Sequence, residues 1–251
     1  MRTNESGNHR TFTITEKEGM MKLGEAVWDR AATGTGTMSK TGYLGAVSGF
    51  TVYGLVLATL IAAKTMSWHP TSIWPVLLIG LAIPIVGIFI ALGSDHWPIS
   101  LAGYTMVVIG LGVITGPTVA MYETGVVMTA LGATAGVTVV TSVVGIVYPK
   151  SLESWGGYLF GALLALVFVR VAQAIMASMG VSESVWYMPW IEYGAALLFS
   201  LYIIYDWNRA LRLNHTLDNA VDCALAIFLD VINLFITLLR IFGNSSSSSK
   251  D

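Results

Sequence analysis

The sequence predicts an all-α polytopic membrane protein with seven transmembrane helices, on three observations. Of 251 residues, 55% are hydrophobic and only 11% are charged, against roughly 25% charged in an ordinary soluble domain. Mean hydropathy is +0.69, too apolar for a soluble surface and the opposite of a disordered composition. Seven stretches reach the length of about 18 mostly apolar residues that a membrane-crossing helix needs. At about 21 residues each they take more than half the chain, leaving no room for a second folded domain.

Residues 1–40 are polar and Gly/Thr-rich and read as a flexible cytoplasmic arm, with a short helix near 16–30. The arm has no apolar h-region, so no cleavable signal peptide is expected and the first span directs insertion. That span runs over about 43–63, between Lys40 and Lys64, and ends in an interfacial turn at Trp68, His69 and Pro70. The second covers 73–92; its Pro84 is tolerable because neighbouring helices can satisfy the freed carbonyl. After GSDHWP (93–98), the third covers 99–122, with Pro117 near its end, and the fourth 125–147. GATAG (132–136) in the fourth is a small-xxx-small pattern that suits close helix approach. YPKSLES (148–154) is a loop, followed by the fifth span (155–178), the sixth (188–205) and the seventh (219–242). The seven-helix domain is thus 41–243, and 244–251 is a disordered, Ser-rich tail. No internal repeat is visible, which argues against an inverted-repeat transporter.

Placing the N-terminus in the cytoplasm puts Arg2, Arg10, Lys17, Lys22, Arg30, Lys40, Lys150, Arg209 and Arg212 inside, and Lys64, Arg240 and Lys250 outside. Nine against three favours an N-in, C-out orientation. A net charge of −2 does not suit a nucleic-acid partner, and the single Cys223 can form no internal disulfide.

Charged groups within spans are costly and usually functional. Here they are Arg170, Glu192, Asp206, Asp222 and Asp230. At 100° per residue, Asp222, Asp230, Asn233, Thr237 and Arg240 fall within about 80° of the last helix. Glu192, Phe199, Tyr202 and Asp206 form a similar stripe on the sixth. A short turn makes these two helices antiparallel neighbours and allows Asp206 and Asp230 to meet. Two carboxylates sharing a poorly solvated site cannot both ionise cheaply, so they can hold one proton or release it and attract a hard divalent cation. The alternative is that each Asp bonds a helix end or an interfacial Arg, as Asp206 could with Arg209. An ion pair of Arg170 and Glu192 could be structural or could gate the outer mouth; the structural kind is favoured, since either alone is expensive in lipid.

FSLYIIYDWNRALRLNHTLDNAVDCALAIFLDVINLFITLLRIFG (199–243) strongly resembles the C-terminal signature of the Bax inhibitor-1 family: an F-S-L-Y-I-x-Y-D segment, a short loop, then L-D-x-I-N-L-F-x-x-L-L-R. AGYT (102–105), GVITGP (112–117) and YPKSLES (148–154) resemble further landmarks of that family. The resemblance implies six helices around a central seventh, acting as a proton-sensitive calcium leak, in a bacterial inner membrane. It makes Asp206 and Asp230 the pH-sensing pair and transient Ca2+ ligands. Asp222, Asn233, Tyr202 and His96 are the candidates to support them. Some relatives restrain a membrane protease, so the competing expectation is a non-transporting regulator that binds another membrane protein. Calcium-leak relatives can carry an Arg at the cytoplasmic end of the second helix, where this sequence has GSDHWP; His96 could supply charge there.

No enzyme chemistry is expected. The last helix lacks a Schiff-base Lys, all four His (9, 69, 96, 215) lie outside the spans, and clustered zinc ligands and phosphate loops are missing. No cofactor is expected; the resemblance implies Ca2+ as the transported ion and protons as what the pair senses, and the bilayer is the constant partner.

Overall fold

Ser39 opens the first helix by accepting a hydrogen bond from the Gly42 amide (3.2 Å), one of the donors a helix start leaves unpaired. In the computed structural model, which describes residues 37–69, 72–181 and 188–247, the elements are as follows. α1 is Lys40–Thr65. α2 is one rod in three pieces: α-helical over Ile73–Leu77, a π turn over Leu78–Ala82, and α-helical again over Ile83–Gly93. α3 is Trp97–Ala120 and α4 is Thr124–Val147. A 3-10 turn at Glu153–Trp155 leads into α5, Gly156–Ser178. α6 is Pro189–Ala210 and α7 is Leu217–Ser247.

Each expected span is therefore a helix. Six are long and apolar enough to cross a membrane; α6 falls outside that group. The reason is its polar load, with Glu192, Asp206, Asn208 and Arg209 in a 22-residue helix. The expected helix near 16–30 and nearly all of the arm lie outside the described residues. Of the expected tail, 244–247 continue α7 as helix and the rest lies outside the described residues. With no Pro after Gly243, nothing stops the last turns outright.

α7 is the most buried of the six candidate spans, with 56% of its apolar window inside, against 11% for α5. It packs on α1, α3, α4 and α6, while α5 lies chiefly against α6. One core cluster joins Tyr43 and Val47 of α1 to Phe199, Ile203 and Trp207 of α6 and to Ile227 and Leu234 of α7. A second joins α1 and α3 to α7 through Tyr104, Val107, Val108 and Phe228. Tyr104 ties these elements twice, donating to the Phe50 carbonyl (3.1 Å) and setting its ring edge-on to Phe228 at 5.6 Å. Thr51, Thr115 and Thr134 each bond the carbonyl four residues back, so these buried hydroxyls carry no unmet polarity into the helix contacts.

The close approach expected at GATAG is not there. A Cβ on Gly132 or Gly136 would meet nothing within 4 Å, because that face of α4 points away from the other helices. The approach occurs at Gly145, where a Cβ would sit 2.5 Å from the Ile204 carbonyl oxygen and 2.9 Å from Trp207 Cβ. Pro84 is accommodated within its own rod. Its ring crowds the preceding turn and it donates no N–H, and the backbone widens into the π turn just before it.

Candidate functional site

Asp206 lies near the end of α6 and Asp230 midway along α7, both nearly sealed from solvent at 8% and 7% exposure. Their carboxyl groups lie within side-chain hydrogen-bonding reach of one another. An ionised carboxylate only accepts, so a bond between two of them requires a shared proton. Asp230 Oδ2 is shut off from water and has no hydrogen-bond partner among the described residues. Such an orphaned oxygen is a place for a proton or a hard cation. Tyr202 is within electrostatic reach of both carboxyls, and Arg209, one turn beyond Asp206, is the cation that acts on it.

Asn208 fixes the end of α6, and sequence reading had passed over it. It is 1% exposed and ties the end of α6 to the end of α4 and the loop after it, while its Oδ1 also accepts from Arg212 Nε (3.3 Å). Its Oδ1 accepts from the Leu152 amide (3.0 Å), and its Nδ2 donates to the carbonyls of Tyr148 and Lys150 (3.1 Å each). Asp206 stands two residues earlier on the helix so held. The visible signal was a polar residue inside a Trp-Asn-Arg run, with partners too distant to guess.

Toward the other end of the bundle, a cavity of about 770 Å³ opens between α3, α5, α6 and α7. Its polar lining is Arg170 and Gln173 of α5, Glu192 of α6, and Asn233, Thr237 and Arg240 of α7. Arg170 holds both oxygens of Glu192 (2.5 and 2.7 Å) and also donates to Gln173 (2.9 Å); Arg240 stands 3.8 Å from Glu192. Asn233 lies one turn from Asp230, so the cavity reaches to the next turn from the carboxyl pair. The stripe read from the sequence of α7 therefore divides: Asn233, Thr237 and Arg240 face the cavity, and Asp230 faces Asp206.

Asp222 and His96 fall elsewhere. Asp222 sits two turns before Asp230, within electrostatic reach of Asp218, Arg209 and Asp95. His96 precedes α3 and acts on Asp218, which accepts a 2.6 Å hydrogen bond from Ser100. Asp218 is about 18 Å along α7 from Asp230 at 1.5 Å per residue. His96 is not brought to the pair. Among the described residues, no three His, Cys, Asp or Glu side chains gather to hold a metal ion.

Residues 42–247 match the sequence profile of the family described as inhibitor of apoptosis-promoting Bax1, and this span includes every site residue above. The chain belongs to the Bax inhibitor-1 family. Among its relatives, an uncharacterized protein of Helicobacter pylori J99 is 34% identical over 137 residues, 55% of this chain and 56% of that protein. The chain thus matches little more than half the length of that relative. The inner membrane protein YbhL of Escherichia coli K12 is 25% identical over 221 residues, 80% of this chain and 91% of YbhL. The protein LIFEGUARD 3 of Arabidopsis thaliana is 34% identical over 88 residues, 34% of this chain and 32% of the plant protein. As a Bax inhibitor-1 family member carrying six apolar spans, the chain is an integral membrane protein.

Proposed function

We propose that this Bax inhibitor-1 family member is a proton-sensitive leak for calcium or a similar hard cation, controlled by a proton shared between Asp206 and Asp230. The observation that carries this reading is the meeting of two buried carboxyls one helix turn beyond a polar cavity. In this reading α6 is a seventh span, the bundle is organised about α7, and the chain catalyses no reaction. Ca2+ passes as cargo: two carboxylates and a tyrosine hydroxyl are too few oxygens for a resident ion, which takes six to eight. The excess of Lys and Arg on one side, and the kinship with YbhL, support a bacterial inner membrane with the N-terminus inside.

The pair works through competition. With one proton shared, the site is close to a single negative charge and holds together; when the proton leaves, two adjacent carboxylates repel and favour a divalent cation. Calcium flux into dye-loaded proteoliposomes should therefore respond to pH in the wild type, and Asp206→Asn and Asp230→Asn should each lose most of that response. Unaltered flux and pH response in both variants would sink the proposal. If a partner membrane protein, a protease for example, is still bound by both variants while neither they nor the wild type conduct, the protein is a non-transporting regulator.

A further inference from the structure

The cavity approaches the carboxyl pair from one end of the bundle, and toward the α6–α7 turn the pair is covered by buried side chains of α1, α6 and α7. Tyr43, in the first turn of α1, is 0% exposed. Its hydroxyl lies 3.4 Å from the Asn219 carbonyl oxygen and 3.4 Å from Cys223 Sγ. Its ring stacks on the His215 imidazole in the turn, with centroids 4.7 Å apart and planes at 21°. His215 is in turn anchored by its carbonyl, which accepts from the Met38 amide (2.8 Å). Cys223 and Asp230 are seven residues apart and so share a face of α7, two turns or about 10 Å from one another. Ile203 and Ile227, both buried, fill the same core cluster as Tyr43 and Cys223. Asp206, Asp222 and Arg209 are all within electrostatic reach of Cys223.

We infer that Tyr43, braced by His215, is the barrier that closes the Asp206–Asp230 pair toward the α6–α7 turn. The inference rests on the reading of the pair as part of a conduction path. The fastening suits a part that moves. The hydroxyl's contact with the Asn219 carbonyl is long for a hydrogen bond and its other contact is to a weakly bonding sulfur, while the stack is a modest aromatic contact at the end of a helix. Swinging the phenol aside breaks no strong bond and uncovers the Cys223 face of α7.

Cys223 is the only cysteine of the chain and reports this opening without an added label site. The experiment measures its alkylation by a small maleimide in proteoliposomes, at fixed pH, beside calcium leak in the same vesicles. Wild type should react slowly. Tyr43→Ala and His215→Ala should react at least tenfold faster and leak more; Tyr43→Phe, which keeps the ring and its stack, should stay near wild type. Alkylation no faster in either alanine variant overturns the barrier. If Tyr43→Ala does not fold, His215→Ala against Tyr43→Phe decides in the same way. Faster alkylation in the alanine variants with no leak from any protein, wild type included, upholds the closure and defeats the conduction reading instead.

Discussion

Glu192 is 1% exposed, and both of its oxygens are taken by Arg170, which itself keeps 25% exposure at the wall of the cavity. The pair can be left whole or removed whole, but halving it leaves a charge stranded. Glu192→Ala should cost about 3 kcal/mol, the low end for breaking a buried pair because Arg170 retains some access to water. The double replacement by Met at 170 and 192 should cost less than either single change. Thermal unfolding in detergent measures all three; a double variant as unstable as the sum of the singles would contradict it. At this scale the sequence is legible where chemistry is rare. A carboxylate in an apolar helix stands out, so Asp206, Asp230, Arg170 and Glu192 could be named from spacing and cost. Tyr43 and Asn208 could not. A tyrosine in an apolar helix is unremarkable until its partners, 176 and 180 residues away in sequence, are beside it.

Among the elements, α2 and α3 show how the turn that accommodates a proline limits what the neighbouring helix can carry. The π turn before Pro84 brings the Ile79 carbonyl against α3 at Gly110, where a Cβ would lie 2.5 Å from that oxygen and 2.7 Å from the Pro84 ring. Gly110→Ala should therefore destabilise the protein by about 1–3 kcal/mol, the usual cost of overfilling a packed contact. By contrast Gly132→Ala and Gly136→Ala, on the outward face of α4, should cost nothing and gain up to about 1 kcal/mol, since Ala is the better helix former and its Cβ meets nothing there. Unfolding midpoints of the three variants test the contrast directly. Helix existence and order were legible because runs of 20 apolar residues have one structural solution in lipid. Which glycine meets which carbonyl depends on how each rod is rotated, and a helix that is apolar all round leaves that rotation open.

For the whole molecule, the status of α6 decides the topology. Seven crossings put the two ends of the helical domain on opposite sides of the membrane; six put them on the same side. Reporter fusions active on only one side, placed before Lys40 and after Ser247, should show an inside N-terminus and an outside C-terminus. Two reporters on the same side would remove α6 from the spans and with it the proposed path. The ion pair between α5 and α6 also bears on how the protein is made. A translocon meets α6 as a segment with a carboxyl near each end, and a charged residue costs up to about 3 kcal/mol to insert. α5 emerges first, already carrying Arg170. Entering together, the two helices would bring Arg170 and Glu192 into the bilayer as one neutral pair. Fused to a glycosylation reporter, α6 should insert poorly alone and well behind α5, and Arg170→Ala should abolish the help. The arginine at the cavity wall would then have done its first work before any cavity existed, as the escort of its neighbour into the membrane.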